Sequence, residues 1–108
     1  MEKVSFATEM GKKIIESQHK YFATGNSEDI LHITNIKRII MAISEYLRSL
    51  DVPEDEISSV AEKLRELTKG LFLDSCMANI KEGEDPKERE DDSITWFDYI
   101  YENEEYPR

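Results

Sequence analysis

Cysteine is nearly absent: Cys76 is the only one, so no internal disulfide can form, and no paired thiol cluster exists to bind zinc in the usual tetrahedral way. Long hydrophobic runs are missing too. The longest uninterrupted apolar stretch, Ile39 to Ile43, is far short of the ~20 residues a membrane-spanning helix requires. The first residues, Met1-Glu2-Lys3-Val4, lack the basic start and apolar stretch of a secretory leader. The expected compartment is the cytoplasm. There is no Gly-rich phosphate loop, and only 4 glycines and 3 prolines punctuate the chain. Positive charge is scarce as well. With 14 basic against 24 acidic residues the net charge is −10, which opposes direct contact with nucleic acid phosphates or anionic lipid. A basic protein is the complementary partner.

The 108 residues suffice for one core. Hydrophobic residues at 39% are enough to fill it. We expect an all-α fold: a compact antiparallel bundle of three long helices, followed by an acidic loop and a short C-terminal aromatic helix. In domain terms, 1–108 is a single helical domain, with a three-helix core over 1–81, a charged loop over 82–92 and an acidic aromatic segment over 93–108.

The first helix is expected from Glu2 to about Thr24. Phe6, Ala7, Met10, Ile14 and Tyr21 form its apolar side, Val4, Ile15 and Phe22 its shoulder, and Glu9, Lys12, Glu16 and Lys20 the opposite side. Gly25 is the expected stop, and Asn26 with Asp29 supplies the acceptors of a capping box for the second helix. That helix, from Ser27 to Leu50, repeats Ile33, Ile36, Ile39/Ile40, Ile43, Leu47 and Leu50 at three- and four-residue spacing. Its β-branched run weakens intrinsic propensity, so burial has to stabilise it and a central place is expected. Asp51, Pro53 and Glu54 then read as the start of a third helix reaching about Lys81, with Gly83 beyond it. Its second half, from Leu71 to Ile80, is apolar nearly all round, and such a helix must be covered on all sides. The covering element is expected to be the stretch Ile94 to Tyr101, capped by Asp92 or Ser93, with Ile94, Trp96, Phe97, Ile100 and Tyr101 inward.

Chemistry-bearing arrangements are few. Glu16/His19 and Asp29/His32 have carboxylate-x-x-His spacing, which occurs in carboxylate-bridged metal sites of helical bundles. Glu16, however, points away from the apolar stripe, and Glu62 and Glu66 of the third helix lie on its polar side, so no metal site is assigned. Cys76 sits in the most apolar part of the third helix, where burial raises a thiol's pKa and makes it inert. We therefore expect no catalytic residues, no cofactor and no metal.

The charge is distributed unevenly. Residues 82–108 hold eleven acidic and three basic side chains, a net −8 that leaves only −2 for the other 81 residues. The same segment holds five of the ten aromatics: Trp96, Phe97, Tyr99, Tyr101 and Tyr106. Carboxylates complement Lys and Arg, and Trp and Tyr anchor interfaces. The expected partner-binding residues are Asp98, Tyr99, Glu102, Glu104, Glu105 and Tyr106. In size, charge and helical character the chain resembles small bacterial immunity proteins and antitoxins, and also phage-encoded nucleic-acid mimics. That resemblance implies a binding protein, monomeric or homodimeric, that blocks a basic partner such as a nuclease toxin. The alternative is a regulatory helical module that dimerises through apolar surface on the second and third helices.

Overall fold

The computed structural model describes residues 2–18 and 28–103. Four helices account for most of them: α1 (Glu2–Gln18), α2 (Glu28–Ser49), α3 (Glu54–Ala78) and α4 (Pro86–Asn103), with no strand among the described residues. The all-α antiparallel bundle is as the periodicity requires. The proposed end of the first helix near Thr24, with Tyr21, Phe22, Gly25 and Asn26, lies outside the described residues.

α2 and α3 form the central pair, and every pair of helices packs together extensively except α1 and α4, which occupy opposite sides. Ile33, Ile36, Ile40 and Leu47 of α2 are buried, as are Ile57, Val60, Leu64 and Phe72 of α3. Each such side chain contributes about 1.5–3 kcal/mol by leaving water, which outweighs the propensity cost of the isoleucines. The all-round apolar half of α3 is covered as expected. The Phe72 ring, fully buried, sits 5.8 Å from both Trp96, edge-on, and Phe97, tilted.

Three local features depart from the sequence reading. The first is the register of α1. Ala7, Gly11 and Ile15 face the core, while Phe6 and Met10 are 59% and 45% exposed. A Cβ on Gly11 would lie 2.7 Å from Leu64 Cδ1 and 3.0 Å from Ile43 Cδ1. The backbone of α1 is thus seated directly on α2 and α3, an approach that only the small side chains permit, and this rotates the larger ones outward.

The second is the α2–α3 turn. Asp51 does not cap α3, whose first residue follows Pro53 with no side-chain cap bond. Asp51 instead adopts φ +60°. Its N–H donates to Arg48 O at 3.1 Å and the Val52 N–H donates to Leu47 O at 3.2 Å. This is the Schellman pattern that closes a helix C-terminus, and Val52 and Leu47 supply its customary apolar contact, both buried. Arg48 then bridges the turn by pairing with Glu45 and Glu54.

The third is α4, which is longer than expected and absorbs most of the 82–92 loop by starting at Pro86. Asp85 Oδ1 accepts the Lys87 N–H at 3.0 Å, Pro86 occupies the first turn where no N–H is needed, and the Arg89 N–H donates to Asp85 O at 3.0 Å. The approach is tightened by Glu84, which accepts the Lys81 N–H at 2.8 Å and pairs with Arg89 at 3.1 Å. These contacts hold the Glu84 carboxyl below its ordinary pKa, the Lys81 N–H contributing most.

Candidate interaction surface

α4 is fastened to the bundle by Phe97 and Ile100, both fully buried, and by Ser93. At 100° per residue, the side opposite Phe97 carries Glu88, Asp91, Asp92, Thr95, Tyr99 and Glu102. This outward side is the acidic face.

Its C-terminal half is partly neutralised from within. Arg65 of α3 donates to Glu102 Oε1 at 2.7 Å and to Asp98 Oδ1 at 3.4 Å, and Lys69 Nζ lies 3.0 Å from the same Asp98 oxygen. The Arg65 guanidinium also lies over the Tyr101 ring, 4.5 Å from its centre, while Lys37 of α2 donates to Tyr101 O at 2.6 Å and lies 5.3 Å from the ring centre. Tyr101 in turn stacks on Phe97 at 5.7 Å. Burial works against the charge on Arg65, but its bonds with Glu102 and Asp98 prevail and raise its pKa. Burial pushes the Tyr101 hydroxyl up, against the opposing effect of Arg65.

The six residues expected to bind a partner are therefore placed as follows. Asp98 and Glu102 are on α4 but engaged by Arg65, Tyr99 is half-buried on the outward side, and Glu104, Glu105 and Tyr106 lie outside the described residues.

The N-terminal half of α4 differs. Glu88, Glu90, Asp91 and Asp92 are exposed, and among the described residues none of them has a cation within ion-pair distance. Their mutual repulsion at three- and four-residue spacing is offset by the partial positive charge of the helix N-terminus. From the sequence these four carboxylates are expected in a loop, whereas they lie on α4. The signal that locates them on a helix was present: Asp85-Pro86-Lys87-Glu88 is a cap, a first-turn proline and an acidic third position.

Beside this stretch lies an open cleft of about 450 Å³, bordered by Cys76, Glu84, Glu88, Arg89, Ser93 and Trp96. Cys76 is only 1% exposed. Burial raises its pKa, with a hydrogen bond from Ser93 and the Arg89 charge opposing and the Asp29 charge assisting. The thiol is held protonated and has no histidine among these influences, which disfavours nucleophilic chemistry. Asp29 is a fully buried carboxylate, and Asn26, its expected capping-box partner, lies outside the described residues. Of the carboxylate-x-x-His pairs, Glu16 is exposed on α1 and His19 lies outside the described residues. Among the described residues no three His, Cys, Asp or Glu side chains gather into a metal-binding group, and no helix is long and apolar enough to cross a membrane.

Comparison with protein-family models, curated proteins and solved structures finds no match to this chain.

Proposed function

We propose that this chain is a non-enzymatic binding protein whose acidic α4 face engages a basic protein and blocks it, in the manner of an immunity protein or antitoxin directed at a nuclease-type toxin. The observation that carries this reading is the row of exposed carboxylates on the outward side of α4, Glu88, Asp91 and Asp92, none ion-paired among the described residues. They are presented on a capped helix bolted to the core, so little ordering entropy is lost when a partner arrives. A groove that attracts phosphate is basic, and an acidic helix is steered to the same groove. Tyr99, on the same side, adds apolar contact area.

The Arg65 contacts define the extent of the face. They fix Asp98 and Glu102 in place and reduce their net charge, so the strongest field lies toward the N-terminus of α4, with Asp98 and Glu102 forming the rim. The test is co-purification from the source cells with wild type and with a Glu88→Lys, Asp91→Lys, Asp92→Lys variant. Wild type is expected to retain a basic protein that salt releases and whose nuclease activity the chain suppresses, and the variant to retain none. Equal retention by both would refute the assignment to α4.

A further inference from the structure

α4 carries two tyrosines, Tyr99 and Tyr101, which the helical turn sets 200° apart. Their surroundings differ in one respect. Tyr101 lies on the flank toward α2 and α3, where Arg65 and Lys37 stand over its ring at 4.5 and 5.3 Å. Tyr99 lies half-buried on the outward side, and among the described residues no cation stands over its ring.

The polar neighbours of Tyr99 on the helix surface are already engaged. One turn before it, the Thr95 hydroxyl donates back to Asp91 O at 3.0 Å, and one turn after it the Asn103 amide donates to Tyr99 O at 3.0 Å. Thr95 is thus left with its methyl group for contact. Glu102, three residues on and therefore adjacent to Tyr99, differs from both. It gives Oε1 to Arg65 at 2.7 Å, yet its side chain is 59% exposed. A carboxylate accepts through both oxygens, so Glu102 has capacity for a second donor arriving from outside.

The inner flank shows which group fits a ring and a carboxylate together. Arg65 covers the Tyr101 ring while donating to Glu102 and Asp98. Lys37 stands farther from the same ring and donates to Tyr101 O at 2.6 Å instead. A planar guanidinium with five donors can stack on a ring and bond a carboxylate at once, which the compact ammonium of lysine does poorly.

We infer that Tyr99, with Glu102 and the Thr95 methyl beside it, is the docking point for an arginine side chain of the basic partner, repeating on the outward side the grip that Arg65 makes on Tyr101. This rests on the function proposed above and names the group that α4 recognises. Asp92 precedes Tyr99 by seven residues, about 10 Å along the helix, so the arginine docks beside the row of carboxylates. The two parts act at different stages. Carboxylates speed the encounter, and an arginine held on an aromatic ring slows departure.

Titration of the full chain with N-acetylarginine amide at constant ionic strength, followed by NMR of the Tyr99 ring and the Glu102 side chain, tests the site without the partner. Saturable shifts are expected at both, half complete at about 10–100 mM. The corresponding lysine amide is expected to need at least about threefold more. Read at Glu102, Tyr99→Leu should weaken binding at least about fivefold and Tyr99→Phe should keep it within about twofold, because the ring and not the hydroxyl meets the cation. Circular dichroism checks that both variants fold, and Tyr99→Gln serves if the leucine variant does not. No saturable shift at Tyr99, an equal response to the lysine amide, or binding at Glu102 unchanged by Tyr99→Leu would each overturn the inference. The two readings fail separately. Retention of the co-purified protein by the Glu88→Lys, Asp91→Lys, Asp92→Lys variant removes the function proposed above without altering the Tyr99 titration, whereas a missing response at Tyr99 removes the arginine site alone.

Discussion

Two helical glycines provide a paired test of how closely α1 is seated. Replacing glycine by alanine in a helix interior gains about 1 kcal/mol through restricted backbone freedom in the unfolded chain and better helix propensity. At Gly70 in α3 a new Cβ meets nothing within 4 Å, so Gly70→Ala is expected to realise most of that gain. At Gly11 the same methyl would lie 2.7 and 3.0 Å from the two Cδ atoms of Leu64 and 3.0 Å from Ile43 Cδ1. Leu64 is fully buried and cannot swing into solvent. Overpacking of this kind costs about 1–3 kcal/mol, which exceeds the propensity gain and leaves Gly11→Ala destabilising by about 1 kcal/mol. Urea unfolding monitored by far-ultraviolet circular dichroism resolves the two, with midpoints expected to move in opposite directions. In a thermal melt the corresponding shifts are about 4–8 °C per kcal/mol for a domain near this size. A stabilised Gly11→Ala would refute the close approach and with it the outward rotation of Phe6 and Met10.

Asp51→Gly is expected to raise stability by about 0.5–1 kcal/mol, because the left-handed conformation at φ +60° costs an L-residue roughly 1–2 kcal/mol and glycine far less; a lower melting temperature would contradict the Schellman assignment. Stability is also expected to fall as the pH rises. Cys76 and Tyr101 both have raised pKa values in the folded state, burial being the leading cause in each. Their contributions are complete below the unfolded-state values and are lost above about pH 8.5 for the thiol and about pH 10 for the phenol. Urea midpoints measured from neutral to alkaline pH check the direction, and Cys76→Ala should remove the earlier part of the decline.

The helix count and the core of α2 and α3 were legible because their isoleucines and leucines follow a strict helical period and periodicity is what burial selects. The need for cover over the second half of α3 could be argued from Leu71, Phe72, Cys76 and Ile80 alone, and Trp96 and Phe97 meet it. The register of α1 was not legible, because an apolar wheel ranks Phe6 and Met10 above Ala7 and Gly11, whereas the packing is decided by how near a backbone can come. The start of α4 was hidden for the converse reason. Residues 86–92 bury no large apolar side chain, and the helix there rests on the Asp85 cap and Pro86 rather than on a stripe. Asp51 read as a cap because aspartate accepts N–H groups well, yet the residue also tolerates the left-handed region. Of the candidate surface, the acidic and aromatic character of α4 was visible in composition. That Arg65 and Lys69, far away in sequence, would engage Asp98 and Glu102 was not.

In the function proposed above, the acidic face of α4 captures a basic partner by charge. The most direct test is the association rate with the co-purified partner, measured by surface plasmon resonance across ionic strength for wild type and for Glu88→Lys, Asp91→Lys, Asp92→Lys. The wild-type rate is expected to fall steeply as salt rises while dissociation changes little, and the variant's rate to be slow and nearly independent of salt. Rates that are equal for the two chains, or a wild-type rate unmoved by salt, would contradict it.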